Sequence, residues 1–119
     1  IDIKPDFVID AIDTVPSKIA LYKWCENNNI PFVSSMGAAR KTDLTKIKIG
    51  KISQTTVCPL ASKIRHIVRD LKIKDFPVVY STEVATPQPN GGREFGSMIT
   101  VTGTFGLMLA DFVIKKLIS

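Results

Sequence analysis

Two short apolar runs constrain the fold of this chain more than anything else in it. Phe7-Val8-Ile9, closed by Asp10, and Pro31-Phe32-Val33-Ser34-Ser35 are each long enough for one buried strand. Between them, Val15-Pro16-Ser17-Lys18 opens a segment continued by apolar Ile19, Ala20, Tyr22 and Trp24, which reads as a helix. Thr14 is expected to cap it through its side-chain oxygen, and a proline near the first turn forfeits no needed hydrogen bond. The amides Asn27-Asn28-Asn29 are expected to end it. Strand, helix and strand at this spacing meet the needs of a right-handed crossover between parallel neighbours, so the fold class is α/β with a parallel sheet.

The remaining elements follow from periodicity. After a basic turn, residues 46–52 read Lys-Ile-Lys-Ile-Gly-Lys-Ile, and the alternation over 46–50 predicts a separate, antiparallel strand with one wet face. Residues 59–72 carry Leu60, Ile64, Ile67, Val68 and Leu71 at helical spacing and leave Lys63, Arg65, Arg69 and Lys72 on other faces, so this helix is amphipathic and basic. Phe76-Pro77-Val78-Val79-Tyr80 predicts another strand, ending in Ser81-Thr82-Glu83. Residues 86–93, rich in Pro, Gly and polar side chains, read as a loop. The last segment, residues 97–119, reads as a largely buried helix, expected to pack on the sheet and on a partner subunit.

Composition narrows the function classes. A chain of 119 residues with 45% hydrophobic content can bury a core, and no stretch approaches the roughly 20 apolar residues of a membrane span. The start, Ile1-Asp2-Ile3-Lys4-Pro5, has neither initiator Met nor a signal-peptide pattern, and reads as the middle of a longer protein. Cys25 and Cys58 are too far apart for a chelating pair and are expected to be reduced thiols. A net charge of +5 favours a polyanionic partner.

Chemistry concentrates where the first strand ends. Phe7-Val8-Ile9-Asp10-Ala11-Ile12-Asp13 delivers two carboxylates to the carboxyl end of a strand, where ligands bind in open α/β sheets. A carboxylate there can hold Mg²⁺ against nucleotide phosphates, since Mg²⁺ prefers hard oxygen ligands. The other reading is that Asp10 and Asp13 hydrogen-bond the turn between strand and helix.

Val8-Ile9-Asp10-Ala11-Ile12-Asp13 resembles the strand-loop motif of the superfamily that contains ThiF, MoeB and the ubiquitin-activating enzymes. Within it, the run from Ser34 through Gly37 to Asp43, Cys58-Pro59-Leu60-Ala61 and Ser81-Thr82-Glu83 resemble the tRNA threonylcarbamoyladenosine dehydratases. Thr104-Phe105-Gly106-Leu107 and Lys115-Lys116 are similar to that family's terminal helix, so the resemblance covers nearly the whole chain, which between Pro87 and Phe95 is shorter than such relatives. The resemblance implies the C-terminal portion of a Rossmann-like adenylating fold of ThiF/MoeB type with a small extension, spanning residues 1–119. It implies adenylation of the threonylcarbamoyladenosine carboxylate by ATP, then ring closure with loss of AMP. Asp13 matches the acidic ATP-site position, catalytic and facing Mg²⁺ through Mg-ATP, with Thr14 and Lys18 lining the nucleotide pocket.

The resemblance also shows what is missing. The glycine-rich nucleotide loop and the cations that grip phosphates have no match here and would lie upstream, so the chain alone is expected to be inactive. The paired Cys-x-x-Cys motifs that hold structural zinc in ThiF-like and MoeB-like proteins are absent. Cys58 could serve as a nucleophile at a helix start, but it more simply occupies an N-cap-like position, and base cyclisation requires no covalent enzyme intermediate. Cys25 falls on an apolar helix face, and His66 suits a surface role near RNA. Arg40, Lys41, Lys63, Arg65, Arg69, Lys72 and Lys74 are candidates for tracking a tRNA backbone, or else a solvated face. The implied partners are tRNA, a second copy of the chain and sulfur-transfer proteins; the implied location is cytoplasmic, or mitochondrial in a fungal relative. The rival functions are adenylation of a ubiquitin-like or sulfur-carrier C-terminus, and a non-catalytic RNA-binding or dimerisation module.

Overall fold

The structure, a computed structural model, describes residues 4–37, 41–84 and 99–119. The expected crossover unit is present: β1 (Val8–Asp10), α1 (Val15–Asn27) and β2 (Phe32–Ser35), with the two strands parallel, Val8 opposite Phe32 and Asp10 opposite Ser34. β3 (Ile47–Lys51), α2 (Pro59–Asp70), β4 (Pro77–Ser81) and α3 (Ile99–Ile118) follow, with short 3-10 turns at Leu44–Lys46 and Ile52–Gln54. The sheet order is β1-β2-β4-β3. β4 therefore inserts between β2, to which it is parallel, and β3, to which it is antiparallel. The antiparallel expectation holds for Ile47–Lys51, but the strand is not separate: it is the edge of the same sheet, with Lys46 and Ile52 in the flanking 3-10 turns, and the fold is α/β.

Alternation along the central strands sorts the side chains onto two cores, as the two-residue period of a strand dictates. Phe32, Val78 and Tyr80 face α1 and α2, joining Tyr22, Cys25, Ala61, Ile64, Val68 and Phe76. Val33 and Val79 face the other way, meeting Val101, Phe105 and Leu109 of α3. The first core is knit by aromatic rings, with centroids 4.6 Å apart for Tyr22 and Phe76 and 5.2 Å for Tyr22 and Phe32. Offset ring pairs at such distances stabilise beyond the area they bury.

Both shorter helices end the same way. Asn29 (φ 56°) and Lys72 (φ 60°) adopt the left-handed conformation just past α1 and α2. The amides of the next residues reach back into the helix, Ile30 N to the Cys25 carbonyl and Ile73 N to that of Val68, each at 2.9 Å. These reversed bonds satisfy carbonyls that a helix end would otherwise orphan. The asparagine cluster stops α1 as expected, whereas Lys72 lies beyond α2 rather than on one of its faces.

Three expectations need correction. Thr14 sits at the N-cap with extended backbone, but its side chain makes no capping bond; its carbonyl instead accepts from Lys18 N at 3.1 Å. β3 lacks a clean dry face: Ile47 is buried but Ile49 is 39% exposed, because β3 is an edge strand. α3 is not largely buried. Only the stripe Val101, Phe105 and Leu109 is covered, at every fourth residue, while Ile99, Leu107, Ile114, Leu117 and Ile118 are exposed. One sheet face can cover only one side of a helix laid across it. The loop read at residues 86–93 and the shortening between Pro87 and Phe95 lie outside the described residues.

Candidate nucleotide site

At the carboxyl ends of β1 and β2 a cavity of about 410 Å³ opens under the first half of α3. Its walls come from three places: the turn after β1 (Ala11, Ile12, Asp13), the end of β2 and beyond (Ser35, Met36, Gly37), and α3 (Thr102, Phe105, Gly106, Leu109). Lys18 and Leu60 complete it. A larger cavity, about 580 Å³, lies at the opposite end of the sheet, between Phe7, Phe32, Phe76, Phe112 and Lys116 among others. The smaller one is the candidate, because ligands of open α/β sheets bind beyond the carboxyl ends of the strands and because it alone of the two has the acidic turn.

The two carboxylates, equivalent on paper, have opposite fates. Asp13 is exposed at the cavity and enters no ion pair among the described residues. Asp10 is fully buried. Its Oδ2 accepts from Lys18 Nζ at 2.7 Å, Ser34 Oγ at 2.6 Å and Tyr22 OH at 3.1 Å, while Oδ1 accepts from the Ile12 amide at 2.9 Å. The turn-bonding reading thus applies to Asp10, while Asp13 has no ion-pair partner among the described residues. Burial, reinforced by the Asp10 charge, pushes the Tyr22 phenol far above its ordinary value, so Tyr22 stays protonated as a donor.

Lys18 lines the cavity, but its charge is spent. It is 1% exposed, and its ammonium also donates to the Ser35 carbonyl at 2.8 Å. Thr14 is exposed and is not among the lining residues. The lining residues as described therefore offer one free charge, the Asp13 carboxylate, and no cation for phosphates. A single carboxylate suits Mg²⁺, which keeps most of its waters and takes one or two protein oxygens beside substrate phosphates. Among the described residues no group of three or more His, Cys, Asp or Glu could hold a metal by itself.

Several lining residues escaped the reading of the sequence. Thr102, Phe105, Gly106 and Leu109 stand at i, i+3, i+4 and i+7 on α3, the spacing of one helix face, and that pattern was available. Tyr22 and Ser34 gave no signal, since their role depends on a carboxylate 12 and 24 residues away.

The basic candidates divide. Lys41 is buried and donates to the Glu83 carbonyl, so it does not face solvent as a phosphate contact. Arg65 is bound inward, its guanidinium donating to the Thr55 carbonyl at 2.9 Å and hydroxyl at 2.8 Å. Lys63, Arg69, Lys72 and Lys74 are exposed. Arg40 lies outside the described residues. His66 is exposed, with Nδ1 2.7 Å from the Ser62 carbonyl. Cys25 and Cys58 are both free and buried; Cys58 is the N-cap residue of α2, and burial raises the Cys25 thiol. No helix among the described residues is long and apolar enough to cross a membrane.

Comparison with known proteins agrees with the resemblance read from the motifs. The tRNA threonylcarbamoyladenosine dehydratase of Haemophilus influenzae is 34% identical over 95% of this chain and 51% of its own length. The crystal structure of the E. coli tRNA N6-threonylcarbamoyladenosine dehydratase, TcdA, superposes with a TM-score of 0.85 at 35% identity, covering 98% of this chain and 50% of that one. The same E. coli protein solved in complex with ATP gives 0.83 at 33% identity, covering 98% and 49%. The chain thus spans about half the length of these relatives. The ThiF family profile matches residues 2–119, and with an α/β sheet carrying an acidic turn at its carboxyl edge, this chain belongs to the ThiF family.

Proposed function

We propose that this chain forms the C-terminal half of an ATP-dependent enzyme that dehydrates N6-threonylcarbamoyladenosine in tRNA to its cyclic form through an acyl adenylate. The observation that carries the reading is the exposed Asp13 carboxylate lining a cavity at the carboxyl ends of two parallel strands, in a chain that superposes on an ATP-bound dehydratase. The chemistry is coherent. Hydroxide is a poor leaving group from a carboxylate, whereas AMP leaves an acyl adenylate readily, so ATP makes the cyclisation accessible.

Asp13 is the oxygen ligand available to Mg²⁺, whose charge would offset the phosphates. The apolar wall of Phe105 and Leu109 suits a base or sugar face. The cations that grip the phosphates come from the completing half with its glycine-rich loop, since Lys18 is committed to Asp10. Exposed Lys63, Arg69, Lys72 and Lys74 form the surface for tRNA phosphates. The exposed apolar residues of α3 favour a homodimer.

The test uses the full-length protein with threonylcarbamoyladenosine-containing tRNA and ATP, reading AMP release and loss of one water from the nucleoside by mass spectrometry. Asp13→Asn should reduce AMP release about 100-fold or more, with an unchanged melting temperature because the side chain is exposed. Full turnover by that variant would sink the reading.

A further inference from the structure

The geometry points to the buried Asp10–Lys18 pair as a positioning device that locks two walls of the nucleotide cavity, the turn of residues 11–13 and the end of β2, in one relative placement. The inference rests on the ATP-site reading of that cavity. Burial alone does not account for the pair: both side chains are essentially without solvent contact, and a buried ion pair is often no more stabilising than apolar side chains of equal volume. What apolar side chains cannot do is hold particular polar atoms at particular places.

This pair holds four beyond its own two members. The Asp10 carboxylate fixes the Ile12 amide, the Ser34 hydroxyl and the Tyr22 hydroxyl, and it fixes the Lys18 ammonium. The ammonium in turn fixes the Ser35 carbonyl. Ile12 and Ser35 both line the cavity, on different walls, and Asp13 is the residue after Ile12. Constraining the Ile12 amide therefore constrains the direction in which the Asp13 carboxylate leaves the turn. Neither Asp10 nor Lys18 needs to touch the nucleotide; they act through Asp13 and through the β2 end.

The experiment compares full-length wild type, the neutral double variant Asp10→Asn/Lys18→Met, the charge-conserving Lys18→Arg, and Asp13→Asn. The readouts are thermal melting, ATP affinity, and kcat and KM for AMP release. The double variant should melt cooperatively near wild type, because no charge is left unpaired, yet lose about 100-fold in kcat with a smaller change in ATP affinity, as expected when a reacting group is misplaced by an ångström. Lys18→Arg should recover a measurable part of that loss. A folded double variant with wild-type kcat overturns the proposal. Should the double variant not fold, amide hydrogen exchange of the wild-type protein decides: the Ile12 amide should exchange as slowly as those of β2, and rapid exchange overturns the proposal. A wild-type protein that binds no ATP overturns the site reading itself, and the proposal with it, whereas ATP binding with an unaltered double variant overturns the proposal alone.

Discussion

Thr42 and Glu83, 41 residues apart, are joined by three hydrogen bonds: the Glu83 carboxylate accepts from the Thr42 amide at 2.8 and 3.1 Å and from its hydroxyl at 3.0 Å. The Asp43 amide donates to the same carboxylate at 2.8 Å, and Lys41 holds the Glu83 carbonyl. One side chain thus pins the segment entering β3 to the end of β4.

This pin should depend on pH. The Asp43 amide, then the Thr42 amide and hydroxyl, hold the Glu83 carboxyl below its ordinary value of 4.5. A lowered folded-state value contributes stability that is present above the ordinary value and is lost as pH falls through the lowered one. Glu83→Gln should therefore melt below wild type at neutral pH, and the gap should close as pH drops below 4.5. Melting curves across that range check it; a gap independent of pH contradicts it.

Arginines 65 and 69 should separate in their effects on RNA binding. Among the described residues Arg69 pairs with Asp70 alone, at 3.9 Å, and both side chains are more than 70% exposed, an arrangement of little energetic consequence that leaves the guanidinium available. Arg69→Glu should weaken tRNA binding and lower the salt slope by about 0.9 for each phosphate that the side chain no longer neutralises. Arg65→Met should leave that slope alone and lower the melting temperature, because it strips the Thr55 carbonyl and hydroxyl of a shared charged donor, worth about 1.5–3 kcal/mol. Fluorescence anisotropy at several salt concentrations, beside thermal melts, distinguishes the two.

Cys58→Ser should leave turnover unchanged while lowering stability by about 1–3 kcal/mol, since the Cys58 side chain lies in the apolar core and makes no capping bond, so serine buries a hydroxyl there. Complete loss of AMP release in a folded Cys58→Ser protein would instead establish a covalent role for the thiol.

Lys72→Gly should stabilise the protein by about 1 kcal/mol. Lys72 holds a positive φ that costs an L-residue with a Cβ but costs glycine nothing, and the bond from Ile73 N to the Val68 carbonyl depends on it. Chemical denaturation should show the midpoint rising with an unchanged slope. Because Lys72 is also a candidate RNA contact, the same variant should bind tRNA more weakly.

The elements of the fold could be read from the chain because they are local. The spacing of Phe7-Val8-Ile9 and Pro31-Phe32-Val33 around one helix, and of Leu60, Ile64 and Val68, reflects periods of two and 3.6 residues that short windows contain. The site was half readable. A carboxylate at the end of β1 was expected, but nothing in Asp10-Ala11-Ile12-Asp13 says which one is buried. That is decided by Lys18, Tyr22 and Ser34, brought in by α1 and β2. Lys41 and Arg65 were misread for the same reason: a basic residue in a basic stretch looks solvated until its partner, 42 or 10 residues away, is known. The exposed side of α3 was missed because an apolar helix looks alike whether its second face meets the sheet, a partner or water.

The strand order carries a consequence for how the protein is made. β4 is an inner strand that bridges β2 and β3, yet it is synthesised after the other three. Until the ribosome has released it, β2 has one pairing edge without its neighbour, β3 lacks the strand it pairs with, and Phe76 is missing from the aromatic cluster. The nascent β1-α1-β2 unit must wait through the synthesis of β3 and α2 before its sheet can close, and closing so long a loop precedes the contacts that reward it. While β2 and β3 stand open, their unpaired edges are available to pair with other chains.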